Sequence, residues 1–232
     1  MSETRKERER AARRHRGALP ARRAAAASAR AAGVLLALLL TAAPARADFG
    51  SAMAAYEGGE YYAAAQEFHR LAEAGDAAAQ NMLAYLYDFG HGVPSSYPTA
   101  VKWYRKAAEA GNAAAQFNMG IKYTNGKGVK KDFARSLAWF RKAAAQGDTD
   151  AQLKIGWMHQ HGMGTAKSLF EAARWYRKAA EGGNAYAQYN LALAYKLGRG
   201  VAKDRAKARK WYARAAAQGS AGARRALTGL GR

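Results

Sequence analysis

The sequence predicts an all-α solenoid of stacked antiparallel helix pairs, and three observations lead to this fold class. A period of 36 residues repeats through most of the 232-residue chain, which is typical of repeat proteins. Within each period, glycine-containing boundaries separate two segments of helical length. Apolar and small residues recur in both segments at spacings of three and four, so each segment carries one apolar stripe.

The period is visible in the segments that begin at each repeated tryptophan. These segments are WYRKAAEAGNAAAQ at Trp103, WFRKAAAQGDTDAQ at Trp139, WYRKAAEGGNAYAQ at Trp175 and WYARAAAQGSAGAR at Trp211. No copy contains an insertion, so four units follow one another in a constant register. Because one helix pair cannot bury both of its apolar stripes alone, neighbouring units must stack.

Two kinds of boundary predict where the helices begin and end. Gly75 and its copies precede Asp, Asn or Ser; glycine ends a helix in the left-handed conformation, and these polar residues cap the next helix. The other boundary is a Gly-x-Gly turn, as at Gly90 and Gly92, followed by Ser96 or an equivalent capping residue. Each unit is therefore predicted to contain a first helix of about 13 residues, a glycine-rich turn and a similar second helix.

The N-terminal 47 residues are predicted to be a cleaved signal peptide. A region rich in Arg and Ala precedes the apolar stretch GVLLALLLTAA, and the triplet Ala45-Arg46-Ala47 fits an A-x-A cleavage site before Asp48. We expect export to the periplasm or secretion, with membrane contact only through this segment. One alternative is an uncleaved membrane anchor, although residues 31–45 would span only about 22 Å of a hydrocarbon core about 30 Å thick. The other is a segment that is neither a signal peptide nor an anchor.

The residues that carry chemistry do not form a catalytic or metal-binding pattern. The chain contains no Cys, which excludes disulfides and thiolate metal sites. No Ser is followed three residues later by Lys, as a serine acyl-transfer site of that class requires. In the segment HQH, His159 occupies a position held by Tyr in other units and His161 lies at the turn. We therefore predict a protein that is not an enzyme, without metal, cofactor or small-molecule substrate.

The segment AAAQFNMGIKYTNGKGVKKDFARSLAWFRKAAAQGD resembles the Sel-one-like repeat, a relative of the tetratricopeptide repeat. The family pattern A-x-A-Q-x-x-L-G-x-x-Y-x-x-G-x-G-V-x-x-D…A-x-x-W-Y-x-x-A-A-x-x-G covers residues 77–219. The resemblance implies a right-handed, tetratricopeptide-like solenoid, first helices on its concave side, and a scaffold that binds proteins. We divide the chain into an N-terminal half-unit (48–75), four repeats (76–219) and a C-terminal cap (220–232), where Arg224 interrupts the series of repeated Gln.

A variable apolar stripe on the first helices is the predicted partner site. Its positions recur every 36 residues but change in identity, whereas the repeated positions form the core. The predicted partner-binding residues are Tyr85, Phe89, Phe117, Asn118, Ile121, Leu153, Trp157, Tyr189, Asn190 and Leu193. Exposed aromatic groups anchor protein partners, and the resemblance to tetratricopeptide grooves makes Asn118 and Asn190 the candidates for holding a peptide main chain. Alternatively, the stripe is buried between first helices of adjacent units.

The basic C-terminal end is a second predicted site. The chain has 38 Lys and Arg against 17 Asp and Glu, and from Lys196 onward it has 11 basic residues and one acidic residue. The predicted anion-binding residues are Lys203, Arg205, Lys207, Arg209, Lys210 and Arg214. Such a cluster attracts an anionic envelope polymer or nucleic acid, although a run of charge also occurs as an ordinary solvated face.

Overall fold

A computed structural model describes residues 48–230, which form eleven α-helices. The helices are α1 (Phe49–Glu57), α2 (Tyr61–Glu73), α3 (Ala77–Phe89), α4 (Tyr97–Glu109), α5 (Ala113–Asn125), α6 (Phe133–Ala145), α7 (Thr149–His161), α8 (Leu169–Glu181), α9 (Ala185–Leu197), α10 (Arg205–Ala217) and α11 (Ala221–Leu230). Each helix packs against the next along the chain. The prediction of an all-α solenoid is confirmed.

The four complete units each contain one first helix and one second helix. We number them units 1 to 4, with first helices α3, α5, α7 and α9 and second helices α4, α6, α8 and α10. A shorter pair, α1 and α2, precedes unit 1, and α11 packs against α10 after unit 4. The predicted signal segment, residues 1–47, lies outside the described residues. Between residues 48 and 230, no helix is both long and apolar enough to span a bilayer.

Local capping chemistry sets the helix boundaries as predicted. The Asp76 carboxylate accepts hydrogen bonds from the backbone amides of Ala78 and Ala79 at the start of α3, and equivalent caps begin the other first helices of the units. The second helices follow Ser96, Asp132, Ser168 and Asp204, each of which accepts a hydrogen bond from a backbone amide of its helix. The first helices of the units end at glycines with φ between 69° and 73°, namely Gly90, Gly126, Gly162 and Gly198.

Small residues let the two helices of a unit approach closely. A Cβ atom on Gly156 would lie 2.7 Å from Cδ1 of Tyr176, so an ordinary side chain does not fit there without displacing the ring. In unit 4 the same position is occupied by the buried Ala192, and the buried Tyr212 ring lies on the second helix. The aromatic rings therefore fill the space that the small residues leave, which confirms the core predicted from the repeated positions.

The repeated glutamine joins each unit to the preceding helix pair. The Gln80 side-chain amide donates a hydrogen bond of 3.0 Å to the carbonyl of Ala72, and Gln116 donates one of 3.1 Å to the carbonyl of Ala108. Both carbonyls lie near the end of a second helix and also accept a hydrogen bond from the backbone amide of the glycine that follows, Gly75 or Gly111. The glutamine therefore adds a second hydrogen bond to a carbonyl at the joint between units.

The second glycine of each Gly-x-Gly turn makes another joint between units. Gly164 has φ of 66°, and a Cβ atom there would overlap the carbonyl of Phe133 at the start of the preceding second helix. Gly128 has the same relation to Tyr97. Because the backbones touch at this point, glycine is required for both its positive φ and its lack of a side chain.

Candidate partner-binding face

One side of the first helices crosses all four units and carries most of the variable positions. Its residues are separated by four, three and four positions, which places them on one side of a helix. We define the first-helix face as Ala78, Met82, Tyr85 and Phe89 in α3; Ala114, Asn118, Ile121 and Asn125 in α5; Asp150, Lys154, Trp157 and His161 in α7; and Tyr186, Asn190, Leu193 and Leu197 in α9.

The first-helix face changes from buried to open along the solenoid. In unit 1, Tyr85 is only 4% exposed. At the same position in unit 3, Trp157 is 37% exposed, and in unit 4 Tyr186 and Leu197 are each 46% exposed. Among the described residues, these three are the exposed large hydrophobic side chains of the first helices. The open part of the face is therefore confined to α7 and α9.

Tyr85 belongs to an aromatic cluster rather than to an open surface. Its ring centroid lies 4.5 Å from that of Phe89, 6.0 Å from His91 and 6.2 Å from Tyr56. Tyr56 comes from α1, and His91 comes from the turn after α3. These two rings cover Tyr85 from two different parts of the chain. The prediction that Tyr85 lies open to a partner is wrong, because the preceding helix pair buries it. Phe89 is half-buried in the same cluster.

Three other predicted contact residues lie partly between helices. Phe117 packs against Phe140 with ring centroids 5.3 Å apart, and Tyr189 packs against Tyr212 at 5.4 Å. Leu153 packs against the core cluster of units 3 and 4. All three are half-buried. A spacing of four residues advances by more than one turn of a helix, so these positions rotate away from the open side, and the alternative of a packed stripe describes them better.

The two predicted polar residues have different surroundings. The Asn118 side-chain amide donates a hydrogen bond of 3.1 Å to Oδ1 of Asn81, which ties α5 to α3. Asn190 is half-buried, and its side chain makes no hydrogen bond to any described residue. An amide offers two donor hydrogens and an acceptor oxygen. Asn190 therefore keeps its full hydrogen-bonding capacity at the open part of the face, whereas Asn118 is engaged in a joint between units.

Intramolecular hydrogen bonds hold the open part of the face in place. Nδ1 of His161 donates to the Trp157 carbonyl at 2.8 Å, and the two rings lie 4.6 Å apart. Between units 3 and 4, the Asn184 side-chain amide donates to Oδ1 of Asp150 at 2.6 Å. The half-buried Ile121 and Leu193 occupy the same position as Trp157 in units 2 and 4, so they continue the face on either side of it.

Sequence reasoning missed Tyr186, one of the most exposed apolar residues of the face. The missed signal is the spacing of four, three and four that joins Tyr186 to Asn190, Leu193 and Leu197. This spacing follows the helical period of 3.6 residues more closely than a constant spacing of four.

A buried ion pair between units 1 and 2 was also not anticipated. Nζ of Lys122 on α5 pairs with the Asp88 carboxylate on α3; the Lys122 side chain is buried and that of Asp88 is nearly so. The ammonium group also lies 5.0 Å from the centroid of the Tyr97 ring. Burial lowers the pKa of Lys122, and the negative charge of Asp88 opposes that change. The pair is a structural joint between units, because both groups are largely shielded from solvent.

Most of the predicted anion-binding residues at the C-terminal end have partners within the chain. Arg205 and Arg209 donate hydrogen bonds of 3.4 and 3.1 Å to the Leu230 carbonyl, which holds the end of α11. Lys207 pairs with Asp204 at 3.1 Å, and the Arg214 guanidinium lies 4.6 Å from the centroid of the Trp211 ring. Lys203 and Lys210 are exposed, and neither forms an ion pair with a described residue.

His159 and His161 do not converge on one site. His159 is buried at the position that holds Tyr in the other units, and its Nδ1 has no hydrogen-bond partner among the described residues. Burial lowers its pKa. Within residues 48–230, no group of three or more His, Asp or Glu side chains is placed to hold a metal ion.

Comparison with known proteins decides the family. Four consecutive stretches match the Sel1 repeat, at residues 77–112, 113–148, 149–184 and 185–220. The chain belongs to the Sel1 repeat family. The resemblance seen in the sequence is therefore confirmed, and the matched stretches begin one residue after the predicted start of the repeats. Sel1 repeat proteins are typically non-catalytic scaffolds for protein interactions.

Solved structures of Sel1 repeat proteins share the fold. A Sel1 repeat protein from Oxalobacter formigenes superposes with a TM-score of 0.73 at 40% identity, over 78% of this chain and 74% of that chain. The protein c5321, a protective antigen of uropathogenic Escherichia coli strains with an SLR fold, superposes with a TM-score of 0.70 at 33% identity. That match covers 77% of this chain but 40% of c5321. Among curated proteins no match was found.

Proposed function

We propose that this Sel1 repeat protein binds a protein or peptide partner, without catalysis, through the first-helix face of units 3 and 4. The observation that carries the proposal is the grouping of Trp157, Tyr186 and Leu197, the exposed large apolar side chains of the described first helices, on α7 and α9. Apolar side chains grouped on a protein surface mark interaction sites, and aromatic residues dominate the binding energy of such sites.

The site is held in one conformation before the partner arrives. The hydrogen bond from His161 orients the backbone beside Trp157, and the bond between Asn184 and Asp150 fixes unit 3 relative to unit 4. Because little ordering is needed on binding, less of the interaction energy is lost to conformational entropy. Asn190 supplies donors and an acceptor for the main chain of an extended partner segment.

Two amino-acid changes on this face test the proposal against a matched change on the opposite side. The partner is first captured from cell extract with the purified protein. We expect Trp157→Ala combined with Leu197→Ala to weaken its binding by about 100-fold or more, since two anchors each contribute on the order of 2 kcal/mol. Phe170→Ala is the control, because Phe170 is 63% exposed on the second helix α8. Affinity is measured by titration of the purified partner, and helicity by circular dichroism.

Either of two results would contradict this assignment. One is a double variant that keeps its affinity, and the other is an equal loss with Phe170→Ala, which would place binding on the second helices. Both variants remove exposed side chains, so both are expected to retain the helicity and unfolding temperature of the original protein.

We further propose that the protein is exported to the cell envelope. The support is the order of basic region, apolar stretch and A-x-A triplet in residues 1–47. N-terminal sequencing of protein recovered from the envelope fraction tests this location. A mature chain that begins at Asp48 supports cleavage and export, whereas protein that stays in the cytoplasm and begins at Met1 contradicts both.

A second candidate function is binding of an anionic polymer at the C-terminal end. It is supported by Lys203 and Lys210, which are exposed and form no ion pair with a described residue. Replacement of both by Glu is expected to abolish such binding, and the affinity is expected to fall steeply with salt concentration. Binding that is insensitive to salt would rule this candidate out.

A further inference from the structure

Positive charge is concentrated on the second helices, not only at the C-terminal end. The helices α4, α6, α8 and α10 carry fourteen Lys and Arg and three Glu, whereas α3, α5, α7 and α9 carry three Lys and two Asp. Of the fourteen, thirteen are exposed, and Arg177 is half-buried. The second helices therefore form a basic surface across all four units, on elements other than those that carry the proposed partner site.

A recess between neighbouring units lies within this basic surface. In unit 1 it has a volume of about 330 Å³ and is lined by Lys102, Arg105, Lys106, Glu109 and the turn at Gly128. Neither Lys102, Arg105 nor Lys106 forms an ion pair with a described residue. Three cations around one acidic group leave the recess with an excess of positive charge.

The recess follows the 36-residue period. A recess of about 260 Å³ recurs at the equivalent place one unit earlier, between α2 and the turn at Gly92. There Gln66 and His69 stand at the positions of Lys102 and Arg105. Arg70 stands at the position of Lys106 and pairs with Glu67 at 3.0 Å. The unit 1 recess therefore carries more positive charge than its equivalent at the opening helix pair.

The cations at these positions form one row along the second helices. We define the basic row as Lys102, Arg105 and Lys106 in unit 1; Arg141 and Lys142 in unit 2; Arg174, Arg177 and Lys178 in unit 3; and Lys210 and Arg214 in unit 4. In unit 3, Arg174 pairs with Glu171 at 3.0 Å and Arg177 donates to the Tyr195 hydroxyl at 3.0 Å. These contacts orient the guanidinium groups, and the other members of the row have no carboxylate partner among the described residues.

The tryptophans beside the row are covered by the protein's own cations. Nζ of Lys106 lies 4.2 Å from the Trp103 ring centroid, and Nζ of Lys142 lies 4.2 Å from that of Trp139. The same arrangement recurs at Trp175 and Trp211. Nucleic-acid bases need open aromatic faces on which to stack. Because these tryptophan faces are covered, the tryptophans beside the row provide no stacking platform, and the row offers a ligand mainly charge and hydrogen-bond donors.

We propose that the basic row binds linear polyphosphate, a flexible chain of phosphate groups with neither bases nor sugars. Lys and Arg bind phosphate through charge-assisted hydrogen bonds, and two or three cations per unit suit a polymer with a charge on every residue. A chain that reaches several units binds more tightly than separate phosphates, because the later contacts form within one complex. This inference is independent of the partner site on the first helices and extends the basic site well beyond the C-terminal end.

Titration with phosphate chains of increasing length tests the proposal on the full chain. The probes are orthophosphate, tripolyphosphate and polyphosphates of roughly 15 and 60 residues, measured by calorimetry at several salt concentrations. We expect no measurable binding of orthophosphate and an increase of about 100-fold or more in affinity between tripolyphosphate and the longest chain. The affinity is expected to fall steeply as salt rises.

Two triple variants with the same loss of charge locate the binding site. Lys102→Gln, Arg105→Gln and Lys106→Gln remove the cations of the unit 1 recess, and we expect at least a tenfold loss of affinity. The slope of the logarithm of affinity against the logarithm of salt concentration is expected to become shallower by about 2, at about 0.7 per lost phosphate contact. The control variant changes Arg199, Arg224 and Arg225 to Gln, and we expect a loss of threefold or less. All six side chains are exposed, and circular dichroism verifies folding.

Three results would overturn the proposal. An affinity that does not depend on chain length would show that phosphate groups bind to separate sites and not along one continuous row. Loss confined to the control variant would restrict binding to the C-terminal end, and the second candidate function would stand without this inference. Tighter binding of a single-stranded oligonucleotide or of polygalacturonate than of polyphosphate of equal charge would assign the row to another class of polymer.

Discussion

At the residue scale, His159 shows how one change at a repeated position alters its chemistry. The other three units carry Tyr87, Tyr123 and Tyr195 at this position. Burial lowers the pKa of His159; nearby Glu171 raises it and Arg141 lowers it. The Nδ1 atom lacks a hydrogen-bond partner among the described residues. A buried polar atom without a partner costs free energy of folding, so the position is less stable than its equivalents.

Replacement of His159 by Tyr is expected to reduce the sensitivity of the protein to acid. Because the pKa of His159 is lowered in the folded state, the unfolded chain takes up its proton first as the pH falls below about 6.5. The free energy of unfolding is therefore highest above that pH and decreases as the pH falls towards the lowered pKa of His159. A Tyr does not titrate in this range. We therefore expect His159→Tyr to raise the free energy of unfolding by roughly 1 kcal/mol and to narrow the difference in unfolding temperature between pH 7 and pH 5.

Thermal unfolding of both proteins at the two pH values provides the measurement. Burial also lowers the pKa of His91, but His91 contributes equally to both proteins. An unchanged difference between pH 7 and pH 5 would show that His159 does not contribute to acid sensitivity.

At the element scale, the two glycine-containing boundaries of a unit have different structural roles. Gly147 follows α6 with φ of 89°, and a Cβ atom there would meet nothing within 4 Å. Gly164, in the turn after α7, has φ of 66°, and its Cβ atom would overlap the Phe133 carbonyl. The sequence predicted a helix boundary at both glycines, but only the packing of units distinguishes them.

Substitution of these glycines by Ala is expected to separate backbone strain from disruption of the joint. Gly147→Ala is expected to cost about 1 kcal/mol of stability, the penalty of a left-handed conformation in a residue with a Cβ atom. Gly164→Ala is expected to cost at least about 1 kcal/mol more, since its Cβ atom forces apart two backbones of adjacent units. Urea unfolding of both variants gives the two values. Equal losses would show that the close approach at Gly164 adds nothing to stability.

At the scale of the whole molecule, the terminal helices α1 and α11 bury side chains of the units beside them. The α11 helix buries Ala223 and Leu230 against unit 4, and the Leu230 carbonyl accepts hydrogen bonds from Arg205 and Arg209. At the other end, Tyr56 of α1 covers Tyr85. In a stacked array the stability of each unit depends on its nearest neighbours. Removal of a terminal helix is therefore expected to destabilise the adjacent unit most.

Truncation after Gly219 is expected to destabilise unit 4 selectively. Loss of α11 removes the burial of Leu230, on the order of 2 kcal/mol, and the hydrogen bonds from Arg205 and Arg209. Hydrogen exchange measured by mass spectrometry is expected to show lower protection in α9 and α10, with α3 and α4 unchanged. A uniform decrease along the chain would indicate that the solenoid unfolds as one cooperative unit.

The order and boundaries of the helices in the described residues were predictable from the sequence, whereas the open surface was only partly so. Capping by Asp76 and termination at Gly90 involve residues next to each other in the chain, so the sequence displays them directly. Trp157 and Asn190 were predicted contact residues, and the structure places both on the open part of the first-helix face. Tyr85 was also predicted and is buried, because its environment depends on residues from another helix pair.

By itself, the sequence determined the all-α repeat, its period and the residues that cap its helices, because these depend on local backbone chemistry and helical periodicity. Only the tertiary structure decided which first-helix side chains are open, which Asn is already bonded, and that Lys122 pairs with Asp88 across a joint between units. The physical reason is that burial and pairing depend on neighbours from adjacent units. The same repeated position can therefore lie in the core in unit 1, as Tyr85 does, and at the surface in unit 3, as Trp157 does.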